Sequence, residues 1–122
     1  ARIFTDGAGI DLQKKYYSDV RPLMLPISAN KTFDLAIEVI RNKGWKLWEP
    51  NREEMHLEAT EATFWFGFRD DVVIHITGLE SGGSVLDMRS TSRFGGGGDG
   101  GTNANRIRSF FKDLKQLVRH SQ

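Results

Sequence analysis

Cysteine is missing from this chain of 122 residues. Its absence excludes disulfides, thiol nucleophiles and Cys-ligated zinc, and it fits cytoplasm and periplasm equally well. Long apolar runs are missing too. No stretch approaches the roughly 20 residues of a membrane-spanning helix, and no signal-peptide pattern is present. Neither charge sign dominates: the net charge is +1, so no global field calls for nucleic acid or an anionic membrane. Proline is scarce, with Pro22, Pro26 and Pro50 the only three. No lysine stands between Arg89 and Lys112. The glycine-rich stretch there therefore cannot be a phosphate-binding P-loop, which needs a Gly-Lys-Ser/Thr ending.

What the chain does contain is enough for one core. Eight Phe and three Trp accompany regularly spaced aliphatic residues, and the length suits a single domain. Residues 1–21 are weakly periodic and read as an N-terminal arm or linker. Residues 22–120 read as one α+β domain. Leu23–Ile27 is a short strand between two prolines, which confines it to a sheet edge. Phe33, Ala36, Ile37 and Ile40 recur at helical spacing, capped by Ser28 or Asn30 and ended by Gly44, giving a helix over about 30–43.

Three or four strands follow, at 45–49, 55–68, 72–79 and 85–94. The second shifts phase, and a bulge near 60–63 would reconcile its two halves. The closing helix, over about 104–119, carries Ile107, Phe110, Phe111, Leu114, Leu117 and Val118 on one stripe. Thr102, Asn103 or Asn105 is its N-cap. The predicted architecture is a curved antiparallel sheet of four to five strands with both helices on one face.

The hydrophobic pattern also selects a register for the last two strands. Setting Ile74 opposite Met88 puts Val72 opposite Ser90 and Ile76 opposite Leu86, an apolar face on both strands. His75 then meets Asp87, Val73 meets Arg89, and Asp71 meets Thr91. Asp71 lies diagonally between Arg89 and Arg93. The expected result is one polar corner holding Asp70, Asp71, Asp99, Arg89, Arg93 and Arg106 beside the glycines at 95–101.

Two readings compete there. In one, the charges neutralise each other and pin the loop. In the other, Arg89 and Arg93 form a fork for a carboxylate or phosphate, assisted by the helix N-terminus. His56 and His75 with Asp70 or Asp71 match no metal-ligand spacing, so no metal is expected, and His75 is expected to pair with Asp87. No cofactor motif is present. Base stacking on Phe64, Trp65 or Phe66 is disfavoured by Asp70 and Asp71, so nucleic acid is not an expected partner.

The pattern Arg89-Ser90-x-Ser92-Arg93-x-Gly95, followed by Asp99-x-Gly101-x-Asn103-x-x-Arg106-Ile107, resembles the signature of the family named domain of unknown function 1499. Tyr17-x-Asp19-x-x-Pro22-Leu23, Gly44-Trp45 and Phe64-x-Phe66-Gly67-Phe68-x-Asp70-Asp71 agree with it, so the likeness spans residues 17–115. The chain departs from the family at Gly98, where a serine is usual.

The resemblance implies a bacterial, envelope-associated domain, in the periplasm or at the membrane, with an anchor upstream of Ala1. It carries over Arg89, Ser90, Ser92, Arg93, Asp99, Asn103 and Arg106 as motif residues, and it implies no activity. Three functions stay open. The first is a non-enzymatic domain binding an envelope component or anionic ligand through the polar corner. The second is a hydrolase or transferase using Asp70, Asp71 or Asp99 as acid/base. The third is a purely structural domain.

Overall fold

The computed structural model describes residues 21–62, 69–92 and 100–121. Its elements are β1 (Leu23–Leu25), α1 (Ala29–Asn42), β2 (Lys46–Leu47), β3 (His56–Ala62), β4 (Arg69–Gly78), β5 (Ser84–Ser92) and α2 (Gly100–Ser121). The strands form one five-stranded antiparallel sheet in the order β1-β5-β4-β3-β2. The α+β architecture expected from the periodicities is the one formed. The proline-flanked β1 lies at an edge, where a missing backbone N–H costs no ladder bond.

Alternation along each strand decides what each face holds. Leu57 and Ala59 of β3, Val72, Ile74 and Ile76 of β4, and Leu86 and Met88 of β5 point to one side. They make the core there with Phe33, Ala36, Val39 and Ile40 of α1 and Ile107, Phe110 and Leu114 of α2. Each fully buried Val, Leu, Ile, Phe or Met side chain among these contributes roughly 1.5–3 kcal/mol. Trp45 stacks on Phe110 with ring centroids 5.9 Å apart. Residues of opposite parity, among them His56, Glu58, Asp71, Val73, His75, Asp87 and Arg89, point away from the helices; this side, which neither described helix covers, is the open face, with Asp71, Val73 and Thr91 buried on it. Among the described residues, no helix is long and apolar enough to cross a membrane.

Ser28, rather than Asn30, caps α1, its hydroxyl accepting from Lys31 N at 3.2 Å. Gly44 follows the helix at φ +77°, a backbone state that glycine adopts without penalty. The β4–β5 register is the one the hydrophobic pattern selects, residue for residue.

Two expectations fail. A strand continuous through 55–68 is not formed: Ala62 pairs with Arg69 on the returning strand. Thr60, Glu61 and Ala62 pair with Asp71, Asp70 and Arg69 in unbroken register, so the expected bulge is absent from these paired residues. The closing helix begins at Gly100, a turn earlier than its apolar stripe suggests. Thr102, Asn103 and Asn105 consequently lie inside it, past its N-cap position. The N-terminal arm, the aromatic cluster at 64–68 and the glycines at 95–99 fall outside the described residues.

Candidate functional site

Arg106 is the hub of the helix side. It projects from α2 onto the ends of three strands, with its side chain only 10% exposed. Its Nε donates to Glu61 Oε1 of β3 at 2.8 Å, and its Nη2 donates to Asp70 Oδ2 of β4. Its Nη1 donates to Asn103 Oδ1 at 2.8 Å and to Ser90 Oγ of β5 at 3.0 Å. Ser90 in turn donates to Asn103 Oδ1, and both residues are fully buried.

The guanidinium thus bonds two carboxylates and two neutral acceptors, tying β3, β4, β5 and α2 at one point. Charge-assisted bonds of this kind are worth roughly 1.5–3 kcal/mol each. Asn103, inside α2, accepts at its amide oxygen from Ser90 of β5 and from Arg106 one turn along the same helix.

Asp71 lies on the other side of the sheet. It is 1% exposed, and its Oδ1 accepts from Thr60 Oγ1 at 2.8 Å, directly across from it on β3. The same Thr60 oxygen accepts from Trp48 Nε1 at 2.9 Å. Thr91, opposite Asp71 on β5, is fully buried, and its hydroxyl has no hydrogen-bond partner.

The single corner expected from the sequence is therefore two places. Asp70 and Arg106 meet on the helix side, whereas Asp71 and Arg89 share the open face. Neighbouring residues of a strand point to opposite faces, and the pleat that fixed the register also separates the two aspartates. Ser92 ends β5 at the register position opposite Asp70. Arg93 and Asp99 lie outside the described residues.

Arg89 lines a shallow pocket of about 310 Å³ on the open face together with His56, Val73, His75 and Asp87. The lining forms a grid across three strands. Glu58, Val73 and Arg89 make one row, and His56, His75 and Asp87 the next. Val73 is 3% exposed and forms an apolar floor.

His75 and Asp87 do stand opposite each other, but the histidine–carboxylate contact is a different one: His56 Nε2 meets Glu58 Oε2 at 2.8 Å. The backbone bonds at Leu79–Gly83 and Met55–Ile76 explain the choice. They make His75–Asp87 a hydrogen-bonded pair, whose Cα atoms stand about 5.5 Å apart with side chains splayed, whereas His56–His75 and Thr60–Asp71 are closer non-hydrogen-bonded pairs. No set of three or more His, Asp or Glu side chains suited to a metal ion occurs among the described residues.

Glu61 was missed in the sequence. Its signal was an acid at the apolar-face parity of β3, in step with Leu57 and Ala59 and opposite Asp70. Beside it, a second depression of about 390 Å³ is lined by Lys43, Trp45, Thr102, Asn105, Arg106 and Ser109, with Glu61 itself completing the rim. Lys43 is already held there by Asp113 at 3.0 Å and by Ser109 at 2.9 Å.

A family model described as protein of unknown function (DUF1499) matches residues 6–114. No curated protein matches the chain.

Proposed function

The chain belongs to the DUF1499 family, and from that premise we propose that it is a binding domain rather than an enzyme, taking an anionic group of its ligand at Arg89 on the open face. The division of the motif's arginines between the two faces carries this reading. Arg106 gives its donors to Glu61, Asp70, Ser90 and Asn103 and acts as a brace. Arg89 lines an open pocket. A guanidinium has five N–H donors, so it can meet a ligand as well as a neighbouring side chain. Its planar fork suits a carboxylate or a phosphate.

In this reading Ser90, Asn103, Arg106 and Asp70 support the site from behind by fixing β5, without touching the ligand. This gives the helix-side motif the purely structural role. The reading also accounts for the carboxylates without catalysis: Asp70 is engaged by Arg106 and Asp71 is buried against Thr60.

The setting we propose is the bacterial cell envelope, with an envelope component as ligand, on the strength of the family resemblance. Fractionation of the full-length protein in its native cell checks this, and a purely cytosolic distribution would remove the envelope from the proposal.

The binding claim is tested by titrating the protein with inorganic phosphate and with acetate while following backbone amide shifts. Saturable binding that Arg89→Gln abolishes and Arg106→Lys preserves is the expected result. Equal loss in both variants, each shown to be folded, would return the whole motif to a structural role.

A further inference from the structure

We infer that the ligand of the open-face pocket is a zwitterion, with a phosphate or carboxylate at Arg89 and a primary ammonium at Asp87. This rests on the reading of Arg89 as an anion site and names the class of compound that fits it. Arg89 and Asp87 occupy the same face of β5, two positions apart. Same-face neighbours on a strand are separated by roughly 6.6–6.8 Å. Both side chains line the pocket, and no hydrogen bond or ion pair to a described residue engages the Asp87 carboxylate. A bare anion beside Arg89 would sit within one strand repeat of that negative charge, where like charges repel. A ligand carrying its own cation turns the repulsion into attraction.

The rest of the lining agrees. His56 and Glu58 meet each other at 2.8 Å, and Arg89 and Asp87 add one fixed charge of each sign to the pocket wall. Val73 offers a short apolar floor between the rows, suited to the methylenes that separate a phosphate from an amine. The volume, about 310 Å³, suits a head group and not a large ligand. A primary ammonium is specified over a quaternary one because only N–H groups can donate to a carboxylate.

The test compares ethyl phosphate with O-phosphoethanolamine, which share the anion and differ in the ammonium, and adds O-phosphocholine. The expected order is phosphoethanolamine about fivefold tighter than ethyl phosphate, consistent with one partly exposed charge-assisted contact, and phosphocholine, which keeps the charge but cannot donate, between the two. Asp87→Asn should erase the difference between the first two compounds. Equal affinities in the wild-type protein would overturn the zwitterion inference and leave the anion reading standing. Failure of all three compounds to bind would overturn both.

Vesicles of phosphatidylethanolamine set against vesicles of phosphatidylglycerol separate the two sources of the head group. Binding to the first alone assigns it to a lipid surface. Binding only to free phosphoethanolamine assigns it to a soluble compound. Either result upholds the zwitterion, and preference for phosphatidylglycerol contradicts it.

Discussion

Replacing Arg106 by methionine isolates the brace. Methionine keeps the unbranched stem and a similar helix propensity, so the change removes little beyond the guanidinium. Four bonds go with it. Asp70, whose side chain is 20% exposed, loses a charge-assisted bond and is only partly rehydrated, at a cost of about 1.5–3 kcal/mol. Ser90 and Asn103 keep their mutual bond but lose a shared donor in a fully buried place, which costs about 1 kcal/mol. Glu61, 39% exposed, recovers water and costs little.

The sum is about 2.5–4 kcal/mol, overlapping the range found when one member of a buried ion pair is removed. At ~2.1 cal/mol/K of unfolding entropy per residue, this lowers Tm by roughly 10–16 °C for a chain of this length. Urea unfolding followed by far-UV circular dichroism measures it. Arg106→Lys, which keeps the charge but not the fork, should fall between wild type and Arg106→Met. A double-mutant cycle with Asp70→Asn should show coupling of at least ~1 kcal/mol. A loss below ~1 kcal/mol for Arg106→Met would mean that the network holds nothing together, and the brace would have to be abandoned.

Three further changes give contrasting outcomes. Thr60→Val removes a donor to buried Asp71 and the acceptor of Trp48; it should destabilise by about 2–3 kcal/mol and alter the tryptophan emission. Thr91→Val, directly across the same face from Asp71, replaces a buried hydroxyl without a hydrogen-bond partner, so it should be neutral or stabilising by up to ~1 kcal/mol. Gly83→Ala puts a methyl group 2.6 Å from the Leu25 carbonyl oxygen and forces β1 away from β5. It should cost more than Gly44→Ala, where the space is open and the positive φ sets a penalty of ~1 kcal/mol. Thermal melts of the pair settle that order.

The β4–β5 register was legible because both strands alternate around one apolar face, and a slip of one residue would have exposed Ile74 and Met88 together. The same alternation separates Asp70 from Asp71, yet the reach of the arginines suggested one cluster. Residue parity outweighs side-chain length here, because a side chain on one face cannot cross the sheet. The strand reversal between β3 and β4 was hidden because Ala62 and Arg69 lack the usual Asn-Gly or Asp-Gly turn signature between them. The first turn of α2 was hidden by Gly100 and Gly101, each disfavoured in a helix by about 1 kcal/mol relative to alanine. Once that turn was missed, Asn103 looked like a cap. Glu61 could be placed only after β3 had been set in register against β4.

The division of labour between the two faces of the sheet is the centre of this account, and an amide shift map of the wild-type protein titrated with O-phosphoethanolamine tests it most directly. The account predicts saturable shifts concentrated at His56, Val73, His75, Asp87 and Arg89, with Asn103 and Arg106 unmoved. Shifts centred on Asn103, Arg106 and Glu61, with the open face silent, would contradict it.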